Sequence, residues 1–271
     1  MIVPRKNLGG RTRRVLPPPG WPGRIGETAK PMRILVVYAH PDDESFGPAA
    51  ALAAYARRGA EIWGIFASRG ERGESWLSPA PSPEELGRLR EQDLREATAV
   101  LGFAGIEILG YPDGEVDTVP FRELERRVRA ALRRYRAEVV ITFGPFGITG
   151  HPDHRAVHQA VVAAFHRARL AGAAARELYY DAVPPARAGE MGIADLPCGQ
   201  PNTWIAVTEE DARAQVTALW LHGRHIRDAR EMAERLAREP ALVATFYRAW
   251  PEVRSGERIT AFLQNEATEA S

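Results

Sequence analysis

The chain has 271 residues, a formal net charge of +1, and ordinary shares of hydrophobic (45%) and charged (26%) residues. That balance excludes bulk attraction to nucleic acid or to an anionic membrane surface, and no apolar run approaches the ~20 residues of a membrane-spanning helix. Cys198 is the only cysteine, which excludes an internal disulfide and a thiolate metal cluster and gives no sign of an oxidising compartment.

Residues 1–31 are rich in Pro, Gly and Arg and lack the continuous apolar core of a signal peptide, so they read as an extended or disordered arm. The folded domain is expected over residues 32–271, with no good boundary inside it, in a cytoplasmic protein. "RILVVY" at 33–38 reads as a buried strand and "PAAALAAYARRG" as a small-residue helix. "EIWGIFAS" is a second strand, followed by the polar loop "RGERGESWLSPAPS". Ser82, Pro83 and Glu85 then form a helix start, with a capping residue, a proline at the first helical position and a capping-box acid. That helix ends near Gly102. "IEIL" is a short strand, "YPDGE" a turn, "FRELERRVRAALRRYR" an amphipathic helix, and "EVVITF" a buried strand. After the loop "GPFGITG" a helix opens around "HPDHRAVHQ". "ELYYDAV" and "TWIAV" are further strands, Thr208 caps the helix "EEDARAQVTALWLHG", and "RDAREMAERLARE" continues helically.

Strand alternating with helix predicts an α/β fold, Rossmann-like, with a mostly parallel sheet and helices on both faces. Ligands bind such sheets at the carboxyl ends of the strands. Three polar clusters fall at such ends: "AHPDDE", "SRGERGE" and "FGPFGITGHPDH". In the first, His40 and Asp43 stand three residues apart in a turn leading into a helix; in the third, His151 and His154 share that spacing. Two histidines and one aspartate would make a zinc site of three protein ligands with a fourth position open for water. Asp42, beside Asp43 but pointing elsewhere, can take a proton from that water. His158, four residues after His154, leaves a helical histidine pair as another arrangement, and Glu44 suits a supporting or helix-start acid. His166 and His222 read as surface or packing residues.

"AHPDDE" and "GHPDHRAVH" resemble the paired signatures of the LmbE/PIG-L family of zinc-dependent N-acetylglucosamine de-N-acetylases, and "SRGERGE" and "GYPDGE" fit the same family. The resemblance spans roughly residues 32–225. It implies His40, Asp43 and His154 as zinc ligands and Asp42 as general base. It implies His151 as the imidazole that stabilises the tetrahedral oxyanion, with Arg69 and Asp113 contacting the sugar. The implied substrate is a small N-acetylated amino sugar conjugate; the chain is also compatible with a homo-oligomer. Mycothiol-type members carry a Tyr two residues before the first His of the second motif, where this chain has Thr149. The segment 184–202 lies where family members vary and where the aglycone would be read. The rival readings are a zinc amidase or esterase on a non-sugar substrate, and a nucleotide- or sugar-binding module without turnover.

Overall fold

A computed structural model describes residues 30–183, 188–189, 201–254 and 257–263. The arm up to residue 29, Cys198 and most of segment 184–202 lie outside these residues. The strands β1 (Arg33–Tyr38), β2 (Glu61–Phe66), β3 (Gly105–Ile108), β4 (Val139–Thr142), β5 (Glu177–Asp181), β6 (Thr203–Ala206) and β7 (Val243–Trp250) form one sheet in the order β3-β2-β1-β4-β5-β7-β6. The pairs β3-β2, β2-β1, β1-β4 and β4-β5 are parallel; β7 runs antiparallel to both β5 and β6. Every residue of β1 and β4 is buried, as continuous apolar runs at the centre of a parallel sheet require.

The helices are α1 (Asp43–Phe46), α2 (Ala49–Ala56), α3 (Pro83–Val100), α4 (Phe121–Arg134), the single turn α5 (Gly147–Gly150), α6 (Pro152–Leu170), α7 (Glu209–His222) and α8 (Arg227–Arg238). From β1 the chain steps outward to β2 and β3, then crosses back over β2 and β1 to β4 and continues to β5. Right-handed crossovers in opposite directions put their helices on opposite faces. Accordingly α4 packs on α6, while α2 and α3 both pack on α7. The reversal makes the gap between β1 and β4 the switch point of the sheet, where open α/β sheets bind ligands.

The helix starts follow the expected chemistry in part: α3 has the Ser82 cap without a return bond from the Glu85 side chain, whereas α7 has both halves of a box. Ser82 Oγ accepts from the Glu85 N–H at 3.2 Å. Thr208 and Asp211 complete a reciprocal capping box at α7. The difference lies at β7, which is not among the strands expected from the sequence. Its exposure largely alternates and it is rich in β-branched and aromatic residues (Val243, Thr245, Phe246, Tyr247 and Trp250), which is a strand signal. By lying between β5 and β6, β7 turns the last part of a mostly parallel sheet antiparallel.

Candidate active site

His40 follows β1 by two residues, and His154 sits in the first turn of α6, just beyond β4. Because β1 and β4 are neighbours, their two motifs meet. His40 Nδ1 and His154 Nε2 are 3.1 Å apart. Asp43 reaches both, with Oδ2 at 3.7 Å from His40 Nδ1 and Oδ1 at 3.4 Å from His154 Nε2. A tetrahedral metal ion with ligand bonds of about 2.0–2.2 Å sets its donors about 3.3 Å apart. The spacing of these three side chains fits such an ion.

The outer contacts fix which nitrogen each ring presents. His154 Nδ1 lies 2.9 Å from the Gly147 carbonyl, so it carries the proton and leaves the Nε2 lone pair facing His40. Gly147 is required there: its φ is +65° and a Cβ would stand 2.6 Å from that of His154. His40 Nε2 lies 3.1 Å from Asp113 Oδ1 and 3.2 Å from Asp153 Oδ2. Asp153 also accepts from the Gly114 and Val116 N–H groups at 2.9 and 3.1 Å. The groupings close enough to hold a metal are His40 with His151 and His154, and His40 with Asp113 and Asp153. The second has instead the geometry of a histidine oriented through its far nitrogen by carboxylates.

The electrostatics agree. Burial works against a charged His40 ring, but the hydrogen bonds to Asp113 and Asp153 and the charge of Asp43 lift it to about 10. His154 is driven down to about 3 by burial and by the charge of His40. The pair therefore favours a single positive charge, carried by His40 and held chiefly by Asp113 and Asp153 on its far nitrogen.

Asp42 is buried beside this cluster, and burial raises its carboxyl above the ordinary range against the pull of Arg90. Arg90, 5% exposed, donates to Asp42 Oδ2 at 2.8 Å, to the Pro41 carbonyl at 2.5 Å and to the Gly70 carbonyl at 2.8 Å. Gly70 lies against the guanidinium at a φ of +64°, and a Cβ there would overlap it. This gives the glycines of "RGERG" a physical reason. Arg90 was not legible as a site residue by its type, since α3 is rich in arginine. The available signal was its position on the buried stripe of Leu86, Leu94 and Ala97.

His151 caps α6: its Nδ1 accepts from the Asp153 N–H at 3.2 Å, which leaves Nε2 as the protonated nitrogen. Its ring lies 4.8 Å from that of His40 and 4.9 Å from that of His154. His158 turns away, with Nδ1 2.9 Å from the Phe143 carbonyl. Asp113 is 6% exposed and is engaged by His40 and by the Arg72 N–H, a contact the sequence did not foresee. Arg69 is exposed, pairs with Glu91 at 3.2 Å, and lines a cavity of about 300 Å³ with Glu71, Tyr111 and Pro112. Thr149 is exposed in α5. His166 is exposed and its ring lies 5.4 Å from Trp250, whereas His222 is buried against Glu44.

Asp181, at the end of β5, accepts from Tyr38 Oη at 2.8 Å, but its other oxygen has no partner among the described residues. Burial raises it to about 8, with the Tyr38 bond opposing and the Asp43 charge adding. Unfolded, it loses its proton near the ordinary value of about 3.9. Stability contributed here is therefore lost as pH rises from about 4 towards 8. Asp181→Asn is expected to be more stable than wild type at pH 8 by on the order of 1–3 kcal/mol, and by less at pH 5. Urea unfolding at the two values checks this; a gap that does not change with pH would contradict it.

The family model for GlcNAc-PI de-N-acetylases, PIG-L, matches residues 35–165. The 1D-myo-inositol 2-acetamido-2-deoxy-alpha-D-glucopyranoside deacetylase of Mycolicibacterium gilvum is 34% identical over 201 residues, covering 66% of this chain and 68% of that protein. Deacetylase 3 of the same description from Catenulispora acidiphila is 35% identical over 175 residues, covering 55% of this chain. The match spans about half (49%) of that relative's length. Among solved structures, GalB, the 4-carboxy-2-hydroxymuconate hydratase of Pseudomonas putida KT2440, aligns with a TM-score of 0.63 at 20% identity, covering 82% of this chain and 98% of its own. At that identity the likeness shows the fold alone.

Proposed function

The chain belongs to the PIG-L family of GlcNAc-PI de-N-acetylases, and from that premise we propose that it is a zinc-dependent hydrolase removing acetyl from an N-acetylglucosamine-type conjugate. The observation that carries this reading is the convergence of His40 Nδ1, His154 Nε2 and the Asp43 carboxylate, with edges of 3.1–3.7 Å, beside a buried Asp42. His40, Asp43 and His154 would hold the zinc. When bound, the ion lowers the pKa of water towards 7 and polarises the acetamide carbonyl.

The remaining steps belong to the chain's own groups. Asp42 keeps one oxygen on Arg90, and the other is available to take a proton from the attacking water. His151 presents Nε2–H to the oxyanion that forms as the carbonyl carbon becomes tetrahedral. The C–N bond then breaks, a proton passes to the nitrogen, and the products are acetate and the free amine of the sugar. Arg69, beside its cavity, would contact the sugar or its substituent. Asp113, held on His40, acts first on the metal site.

That division gives separate outcomes. Asp113→Ala is expected to weaken zinc binding by roughly 10–100-fold, as loss of an outer hydrogen-bond partner does. Arg69→Ala should leave zinc affinity unchanged and raise KM on sugar substrates. Competitive zinc titration together with steady-state kinetics separates them; identical zinc affinity in Asp113→Ala would return that residue to direct sugar contact.

No described helix is long and apolar enough to cross a membrane. A cytoplasmic enzyme acting on a small molecule is the setting we favour. The test is a panel of N-acetylglucosamine conjugates sharing the sugar and differing in the aglycone, assayed for acetate and free amine. Equal release of both supports the proposal. Release only from simple amides or esters would make the protein an amidase or esterase, and binding without release a non-catalytic module.

A further inference from the structure

Asp42 has φ +112° and ψ −28°, a left-handed backbone that a non-glycine residue adopts only under constraint. Arg90 supplies one constraint through the Pro41 carbonyl and the Asp42 carboxylate. The other comes from the opposite side, through Glu44. Its Oε2 accepts the Asp42 N–H at 3.1 Å, and its Oε1 contacts Ser45 Oγ at 2.5 Å and His222 Nε2 at 2.8 Å. Glu44 is 0% exposed and His222 1%. A carboxylate sealed to that degree needs a partner, and His222 is the basic side chain in contact with it.

His222 does not act alone. Gln215 lies seven residues earlier on α7, two turns along the same buried face. Its Nε2 donates to the Ser45 carbonyl at 3.0 Å and to the Phe46 carbonyl at 3.2 Å. Helix α7 thus grips α1 at two points, one of which leads directly to the backbone of Asp42. Neither residue reaches the metal-binding group, and neither is near it in sequence.

We propose that His222, acting through Glu44 and assisted by Gln215, is a positioning residue that holds Asp42 in its strained conformation and aims its free oxygen at the attacking water. The inference rests on Asp42 being the base of the proposed reaction. His222→Ala removes the donor that anchors the Oε1 side of Glu44, so the carboxylate is free to turn away from the Asp42 N–H and the turn relaxes. His222→Gln returns an N–H donor to the same carboxylate.

The test has two parts, both on the full zinc-loaded chain. In kinetics, His222→Ala should lower kcat by on the order of 10- to 100-fold, as small misplacement of a reacting group does, with KM and zinc stoichiometry unchanged. His222→Gln should recover most of the loss. In an Asp42→Asn background, His222→Ala should cost nothing further, because the group it positions is already gone. Gln215→Leu strands no charge and should show a smaller kcat loss that also vanishes in that background. It carries the test if His222→Ala does not fold. Wild-type kcat in both variants, or an equal loss in the presence and absence of Asp42, would overturn the proposal. The second part is the crystal structure of His222→Ala or Gln215→Leu. It should show Asp42 out of the left-handed region; an unchanged φ would overturn the proposal. This part stands even if wild type releases no acetate, an outcome that would count against the deacetylase reading and not against the positioning.

Discussion

Asp42→Asn is expected to keep its zinc and lose about 10²–10⁴-fold in kcat, the contribution of a positioned general base. The substitution preserves the shape of the side chain and leaves an amide oxygen to accept from Arg90, which now holds Asp42 at 2.8 Å. What changes is the atom facing the water, from a proton acceptor to an N–H donor. Metal analysis and kcat at saturating substrate, measured on the same preparation, check both halves. Nearly full activity would remove Asp42 as the base. Glu44, the acidic neighbour in the motif, does not offer a ready substitute: it is sealed from solvent and engaged by Asp42 N–H, Ser45 and His222.

The second large effect is on the metal itself. Ala at His40, Asp43 or His154 removes one of three proposed protein ligands. Each change should reduce zinc affinity by more than the roughly 10–100-fold that an outer partner is worth, and acetate release should fall with occupancy. His40→Ala should be the most severe, because it also leaves Asp113 and Asp153 without the ring they share. Full zinc occupancy in all three variants would mean that the ion is held by none of these side chains, and the proposed ligand set would fall. His158 is a poor substitute, since its Nδ1 faces the Phe143 carbonyl.

Much of this site was legible because its residues are local to two motifs. His40, Asp42 and Asp43 share one turn after β1, and His151 and His154 share another after β4. Spacing alone suggested a metal site, and the strand pattern suggested that both turns lie on one sheet edge. What spacing could not give was the order of the strands, which makes β1 and β4 adjacent and brings His40 within 3.1 Å of His154. The supporting residues were harder. Arg90, Gln215 and His222 come from helices 48–178 positions away along the chain from these partners, and an Arg or His on a helix usually reads as a solvated face or packing. Asp113 was read for a sugar and is found on His40, because a carboxylate in a turn carries no mark of which way it faces. The strand β7 is hidden for a different reason: it follows a long helical pattern and returns between two strands that precede it in the chain.

Zinc titration of the chelated protein tests the central claim most directly. Acetate release from an N-acetylglucosamine conjugate should be absent at zero metal and rise linearly with added zinc. It should stop rising at one equivalent per chain. Acetate release by the fully chelated protein would contradict this, as would one tightly bound equivalent of zinc with no release from any conjugate.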